Sequence, residues 1–319
     1  MKQANASTTK TGNPDNAPRI EPLFNSAFAR IFGREESKPL TRGLVNAVLE
    51  HVGLAPVDEI EAITAEHTAT EGTVDCKTPR MDVRIIASGR VLDLEAQGYP
   101  EDMENRSLLY AAQLLCENTA TGTKYKDLPQ VIVITLLDAP PLFPDAPEIA
   151  HICRLHWGAG WSPDAPDAEP VAGAAGAEGT DRMLFVVVEL EKVRKRYNRL
   201  TSEVLSDDLL AWAYLLTKGY SNDGEVEAIM SEVPSIEYFA ELYGRAVDDP
   251  KVKQAFEDAV SAEREYQSRQ DYFARLEREA AERGMEKGID RMTASLRASG
   301  VDEAAIKAAV RAARETPEE

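Results

Sequence analysis

The stretch Pro79-Arg80-Met81-Asp82-Val83-Arg84-Ile85-Ile86-Ala87-Ser88-Gly89-Arg90-Val91-Leu92-Asp93-Leu94-Glu95-Ala96-Gln97 decides the fold. Residues alternate on both sides of Ser88-Gly89. Val83, Ile85 and Ala87 share one face, and Asp82, Arg84 and Ile86 share the other. After the turn, Leu92, Leu94 and Ala96 alternate with Val91, Asp93, Glu95 and Gln97. This period predicts two strands, each with one apolar face. A two-residue turn containing Gly predicts a tight hairpin. With Ser88 and Gly89 as the loop, Ala87 pairs with Arg90, Ile85 with Leu92 and Val83 with Leu94, so apolar meets apolar. On the other face Arg84 meets Asp93, Arg80 meets Gln97, and Asp82 falls opposite Glu95. A three-residue loop would slip the pairing by one and bring Glu95 beside Val83.

Directly opposed side chains place their Cβ atoms roughly 4.5–5.5 Å apart, where two carboxylates repel. Geometry leaves two readings open. In the first, a divalent cation such as Mg²⁺, which prefers oxygen ligands, sits between Asp82 and Glu95. In the second, this is the solvated polar face of an ordinary antiparallel pair, with Arg80, Arg84 and Arg90 supplying counter-charge.

The 319 residues suffice for one large domain or two smaller ones. With 36 Lys and Arg against 55 Asp and Glu, the net charge of −19 argues against a protein whose whole surface binds nucleic acid. It leaves room for a local basic groove, because Arg80, Arg84, Arg90, Arg106, Lys124 and Lys126 cluster in and after the hairpin. No stretch approaches the ~20 apolar residues of a membrane span, so no membrane association is expected. Residues 1–20 lack an apolar signal core and read as a disordered leader. Three cysteines, Cys76, Cys116 and Cys153, form no disulfide framework and fit a reducing cytoplasm.

Along the chain, helices are expected over 24–32, 40–52 and 102–118. The second places Leu40, Leu44, Ala47 and Val48 on one face, and the third places Leu108, Ala112 and Leu115 on one stripe and Arg106, Tyr110 and Gln113 on another. A strand is expected over 57–65. Residues 130–137, Gln-Val-Ile-Val-Ile-Thr-Leu-Leu, read as a strand buried on both sides. Strand, helix and buried strand make a parallel βαβ crossover. Further strands are expected at 148–157 and 183–190, with a flexible Gly-, Ala- and Pro-rich loop over 158–180 between them. Helices follow at 202–218, 223–231, 235–246 and 302–314. A charged helical stretch from 250 to 283 is expected to be punctuated by Gly284, Gly288 and Gly300.

This ordered series resembles the PD-(D/E)xK nuclease superfamily, in the transposase-like branch also called recombination-promoting nucleases. The resemblance runs from about Phe24 to Leu216. It is carried by Phe28-Ala-Arg-Ile-Phe-Gly33, Leu44-Val-Asn-Ala-Val-Leu49, Arg80-Met-Asp82-Val, Leu94-Glu95-Ala-Gln97, Asn105-Arg106-Ser-Leu-Leu-Tyr110-Ala, Gly122 to Pro129, Val188-Glu-Leu-Glu-Lys192-Val and Leu209-Leu-Ala-Trp212. Gly284-Met-Glu-Lys-Gly288 is a fainter echo. The resemblance implies an α/β, restriction-endonuclease-like fold, with a mixed central sheet flanked by helices and a helical C-terminal extension. The implied nuclease-like domain spans 21–220 and the charged helical region 221–319.

The resemblance also implies a DNA endonuclease that hydrolyses phosphodiester bonds with Mg²⁺ or Mn²⁺. Asp82 and Glu95 would hold the ion together with the backbone carbonyl of Ala96, and Gln97 would complete the catalytic set. Gln97 stands where the wider superfamily has lysine, so the alternative is a catalytically weak or inactive fold that binds DNA or protein. Glu50 is the candidate for the upstream helical acid that often completes such sites. Arg80, Arg84, Arg106, Tyr110 and Lys124 are candidate DNA contacts, and a homo-oligomer through the C-terminal helices is a further expectation. Two rival features remain. His151, Cys153 and His156 invite a zinc reading, but His156 falls on the opposite strand face and no second ligand pair accompanies them. Arg194-Lys-Arg-Tyr-Asn-Arg199 is a basic run suited to a phosphate backbone or to a solvated helix end.

Overall fold

A computed structural model describes residues 20–66, 81–100, 102–155 and 180–315. The expected leader (save Ile20), Cys76, Arg80, His156 and the expected loop up to residue 179 lie outside the described residues. The chain divides into two compact units, the first reaching Glu257 and the second starting at Asp258.

The first unit is α/β. It opens with α1 (Asn25–Phe32) and α2 (Lys38–His51), followed by strand β1 (Ile60–Ala65), the hairpin β2 (Val83–Ala87) and β3 (Arg90–Gln97), helix α3 (Met103–Glu117) and β4 (Gln130–Leu137). Then come β5 (Ala150–Leu155), β6 (Thr180–Glu189), α4 (Leu190–Arg196), α5 (Ser202–Leu205), α6 (Asp208–Thr217), α7 (Asp223–Glu232) and α8 (Phe239–Asp248). The six strands form one mixed sheet in the order β1-β2-β3-β4-β6-β5. The β3–β4 and β4–β6 pairs are parallel and the other three are antiparallel. The expected mixed sheet with flanking helices is therefore observed.

The hairpin has the register its alternation predicts, with Val83 on Leu94, Arg84 on Asp93, Ile85 on Leu92 and Ala87 on Arg90. Ser88 and Gly89 have φ of 51° and 70°, the left-handed pair of a type I′ turn, whose twist suits a two-residue hairpin. β4 is buried from Val131 to Leu137, as its continuous apolar run requires.

Both faces of the sheet are covered. On one, Tyr110, Ala111 and Leu114 of α3 pack with Met81, Val91, Val131 and Val133. Leu92, Leu94, Ile132 and Ile134 point to the other face and are also fully buried. An aromatic core joins α1, α6 and α8: Phe32 lies 6.0 Å from Trp212, which meets Phe239 edge-on at 6.4 Å. Gly33 ends α1 against β1. A Cβ there would lie 2.5 Å from that of Ala65, so this close approach requires glycine.

One choice left open by the sequence is decided, and two local expectations need correction. The buried stripe of α3 is Met103, Ser107, Tyr110, Ala111 and Leu114, whereas Leu108 is 50 % exposed. Docking on a sheet face that carries carboxylates selects the tyrosine-bearing side over the purely apolar one. The expected 202–218 helix is broken, because the Asp207 side chain accepts the Leu210 N–H at 2.9 Å and starts α6 afresh. Finally, α9 (Pro250–Ala298) runs through Gly284 and Gly288 without interruption and yields only near Gly300, at φ 74°. One glycine costs a helix about 1 kcal/mol, too little to stop a 49-residue run. In the second unit the later part of α9 is followed by α10 (Glu303–Glu315). Ile289 and Ile306 are buried there, and Arg297 pairs with Glu303 at 2.7 Å.

Candidate active site

At its open end the hairpin exchanges side chains for backbone. The Asp82 N–H donates to Glu95 Oε1 at 2.7 Å, and the Ala96 N–H donates to Asp82 Oδ2 at 3.1 Å. Each carboxylate caps the opposite strand where the ladder stops, so Asp82 and Glu95 are held together by reciprocal bonds. The Asp82 carbonyl accepts the Glu66 N–H at 2.7 Å, which ties the end of β1 to the same point.

The second Glu95 oxygen accepts from Gln97 Nε2 at 3.1 Å. Gln97 Oε1 in turn accepts from Arg106 Nη1 at 2.8 Å, and Arg106 Nη2 donates to the Tyr110 hydroxyl at 3.2 Å. Helix α3 supplies Arg106 and Tyr110 from adjacent turns of one face, the normal i, i+4 neighbourhood. A chain of side chains thus runs from Glu95 through Gln97 to Arg106 and Tyr110.

This polar face is not solvated. Asp93 is 0 % and Glu95 2 % exposed, so the reading of an ordinary solvated sheet face does not hold. Helix α3 covers both. Burial first, and then the charge of Asp82, push the Glu95 and Asp93 carboxyls well above the usual carboxylate range. By hydrogen-bond geometry neither Asp93 oxygen is satisfied, and the adjacent Glu95 carboxyl is the group close enough to share a proton with it. Arg84 sits opposite Asp93 but donates to Asn118 Oδ1 at 2.7 Å, leaving its own Nε buried and unpartnered. Among the described residues, the Asp82, Glu95 and Asp93 carboxylates gather around the half-buried guanidinium of Arg106. Their oxygens are hard donors with surplus negative charge, and a divalent cation fits that donor set. Among the described residues no group of three or more His, Cys, Asp or Glu is arranged around a common metal position, so the oxygen donors that meet are the pair Asp82 and Glu95.

The remaining expected site residues are dispersed. Glu50 is exposed on the last turn of α2. The segment just after that turn joins the opposite end of the hairpin: Arg90 Nη1 bonds the Ala55 carbonyl at 2.6 Å and the Asp58 N–H bonds Ser88 Oγ at 3.2 Å. The fold does not bring Glu50 to the pair. Lys124 is exposed before β4, and Arg84 is committed to Asn118. His151 bonds Glu189 Oε2 at 3.2 Å, in a buried cluster where Lys192 Nζ reaches the same oxygen at 2.6 Å. Cys153 is exposed and has no share in that cluster, so the zinc reading gains nothing. Within the basic run, Arg194 bonds Asp138 at 2.5 Å and Arg196 bonds the Pro147 carbonyl at 2.9 Å, while Lys195, Arg196 and Arg199 stay exposed.

Two further features flank the pair and are not singled out in the sequence. A cavity of about 280 Å³ at the ends of β3 and β4 is lined by Gln97, Tyr99, Asp138, Arg194 and Glu21. Burial, with help from Asp138, pushes the Glu21 carboxyl up to about 7. A second cavity of about 290 Å³, beside Ala65 and Glu66, is lined by Arg30, Arg34 and Lys251. Asp93 itself was legible in principle, because period two places it on the face of Glu95. Its burial was not, since that depends on where α3 docks.

Residues 22–156, the segment holding the hairpin, α3 and β4, match the family described as PD-(D/E)XK nuclease family transposase. No curated protein and no solved structure gives a significant match.

Proposed function

We propose, from the premise that residues 22–156 are a PD-(D/E)XK nuclease-family transposase domain, that the chain is a Mg²⁺- or Mn²⁺-dependent DNA endonuclease centred on Asp82 and Glu95. One observation carries this reading: the reciprocal bonds that hold the two carboxylates together beside Gln97. Asp82 and Glu95 would hold the ion, with the Ala96 carbonyl as a further donor. When bound, the divalent ion acts as a Lewis acid on the scissile phosphate and lowers the pKa of the attacking water. Gln97 donates a hydrogen bond at the edge of the pair. Helix α3 keeps bulk water off Glu95, which strengthens every charge interaction there. Arg30, Arg34 and Lys251, with part of their charge offset by Asp249 and Glu66, offer a local place for the DNA backbone on a chain of net charge −19. No helix of the described residues is long and apolar enough to cross a membrane. Exposed, unpaired Cys116 and Cys153 suit a reducing cytoplasm.

The test is nicking of supercoiled plasmid with Mg²⁺ or Mn²⁺ by wild type, Asp82→Ala and Glu95→Ala. The expected result is metal-dependent nicking by wild type and a loss of roughly 100-fold or more in each variant. Equal activity in all three sinks the site assignment. A second reading, an inactive fold serving as a binding module, draws on exposed apolar side chains of α9, Tyr266, Tyr272, Phe273 and Met285. An inactive wild type that still binds DNA favours it.

A further inference from the structure

A lysine after the second acid would combine two properties that this chain keeps on separate residues. Gln97 has the hydrogen-bond donors but no charge. Arg106 has the charge but stands on α3. The two are joined: Arg106 Nη1 donates to Gln97 Oε1 at 2.8 Å, and Gln97 Nε2 donates to Glu95 Oε2 at 3.1 Å. A guanidinium has only donors, so it dictates which end of the amide faces it. With the amide oxygen held by Arg106, the amide nitrogen must face Glu95. Among the described residues, Arg106 is the donor that holds the amide oxygen and so keeps the amide from turning over to the acids. Gln97 Nε2 carries a second proton, and Gln97 itself lines the cavity of about 280 Å³ at the ends of β3 and β4.

Arg106 is built into this arrangement. Its other terminal nitrogen bonds the Tyr110 hydroxyl at 3.2 Å, its guanidinium carbon lies 5.8 Å from the centre of the Tyr110 ring, and Tyr110 is buried against the sheet. Among the described residues, it is the cation linked to the acids through a shared partner, Gln97.

We propose that Arg106 and Gln97 act as one unit. Arg106 is a positioning residue that locks the amide and brings the positive charge. Gln97 presents its remaining N–H to the water or phosphate oxygen at the Asp82–Glu95 pair. This rests on the nuclease reading above and assigns Arg106 a role distinct from a contact to the DNA backbone.

The test compares wild type, Arg106→Gln, Gln97→Lys and the double variant in the metal-dependent nicking assay. Arg106→Gln is expected to lower kcat roughly 100-fold with KM little changed, the signature of an interaction made in the transition state. The double variant, which returns a cation to position 97, is expected to recover about tenfold or more of that loss. A raised KM with unchanged kcat in Arg106→Gln overturns the proposal in favour of a backbone contact. A double variant that melts like wild type but cuts no better than Arg106→Gln also overturns it. A readout independent of activity is the Gln97 side-chain amide resonance of the metal-free protein. It should move in both Arg106→Gln and Glu95→Gln, and a signal unmoved by Arg106→Gln refutes the lock. If wild type proves inactive, the nuclease reading fails, while the amide signal still decides whether Arg106 orients Gln97.

Discussion

Replacing Asp93 with asparagine removes an ionisable group from the interior while keeping the side-chain shape. Asp93 is fully buried, neither oxygen is satisfied by hydrogen-bond geometry, and Asp82 and Glu95 are its acidic neighbours. A buried unsatisfied polar group costs about 1–3 kcal/mol, and more when charged. Its carboxyl is pushed up by burial first and by Asp82 second. In the unfolded chain Asp93 ionises near pH 4, while the folded chain holds the proton to higher pH. Stability from this group is therefore full at low pH and is lost as pH rises.

The asparagine side chain cannot ionise, so Asp93→Asn should match wild type near pH 4 and exceed it at pH 8. The expected gain at pH 8 is about 2 kcal/mol, allowing for the one amide left imperfectly paired. For a unit of this size that is a rise of about 4–8 °C in Tm. Urea and thermal unfolding followed by circular dichroism, in EDTA at both pH values, measure it. The opposing outcome is clear-cut. Arg84 lies directly across the ladder with a buried, unpartnered Nε. If the two residues form a buried ion pair in solution, Asp93→Asn would lose about 3–5 kcal/mol at pH 8. That result would refute the account of Asp93 as an orphaned acid.

Glu21 behaves in the same sense with a different window. Its carboxyl is raised to about 7, so its contribution is full below about pH 4.5 and is lost as pH climbs through 7. Glu21→Gln should therefore be about 2 kcal/mol more stable than wild type at pH 8, after discounting for partial exposure, and equal to it near pH 4, as read by urea melts. The cavity of Arg30, Arg34 and Lys251 makes a separate prediction. Arg34→Ala with Lys251→Ala should weaken DNA binding more at low salt than at high salt and reduce the slope of log K against log salt by about 1–2, leaving the thermal melt unchanged. A slope equal to wild type in fluorescence-anisotropy titrations would remove that cavity from the DNA path.

What could be read from the sequence was what neighbours along the chain decide. The hairpin register follows from period-two alternation and a Ser88-Gly89 turn that only one loop length satisfies, so the Asp82–Glu95 opposition was legible before any tertiary contact. β4 was legible too, because an apolar run bounded by Pro129 cannot be left in water. Helix positions were clear, but the buried side of α3 was not, since two stripes of that helix could have faced the sheet. Its docking buries Asp93, overturns the solvated-face reading, and joins Arg106 to Gln97. The Arg30–Arg34–Lys251 cavity draws on α1 and α9, segments more than two hundred residues apart, and no local pattern marks it. Glu50 shows the converse, a plausible acid on a correctly placed helix whose last turn lies toward the wrong end of the hairpin. The sequence by itself determined the strand pair and the two acids it opposes, because a turn and its flanking alternation are local physics. Only the tertiary structure decided which side chains surround those acids and how dry they are, because helix packing on a sheet face is settled by burial across the whole unit.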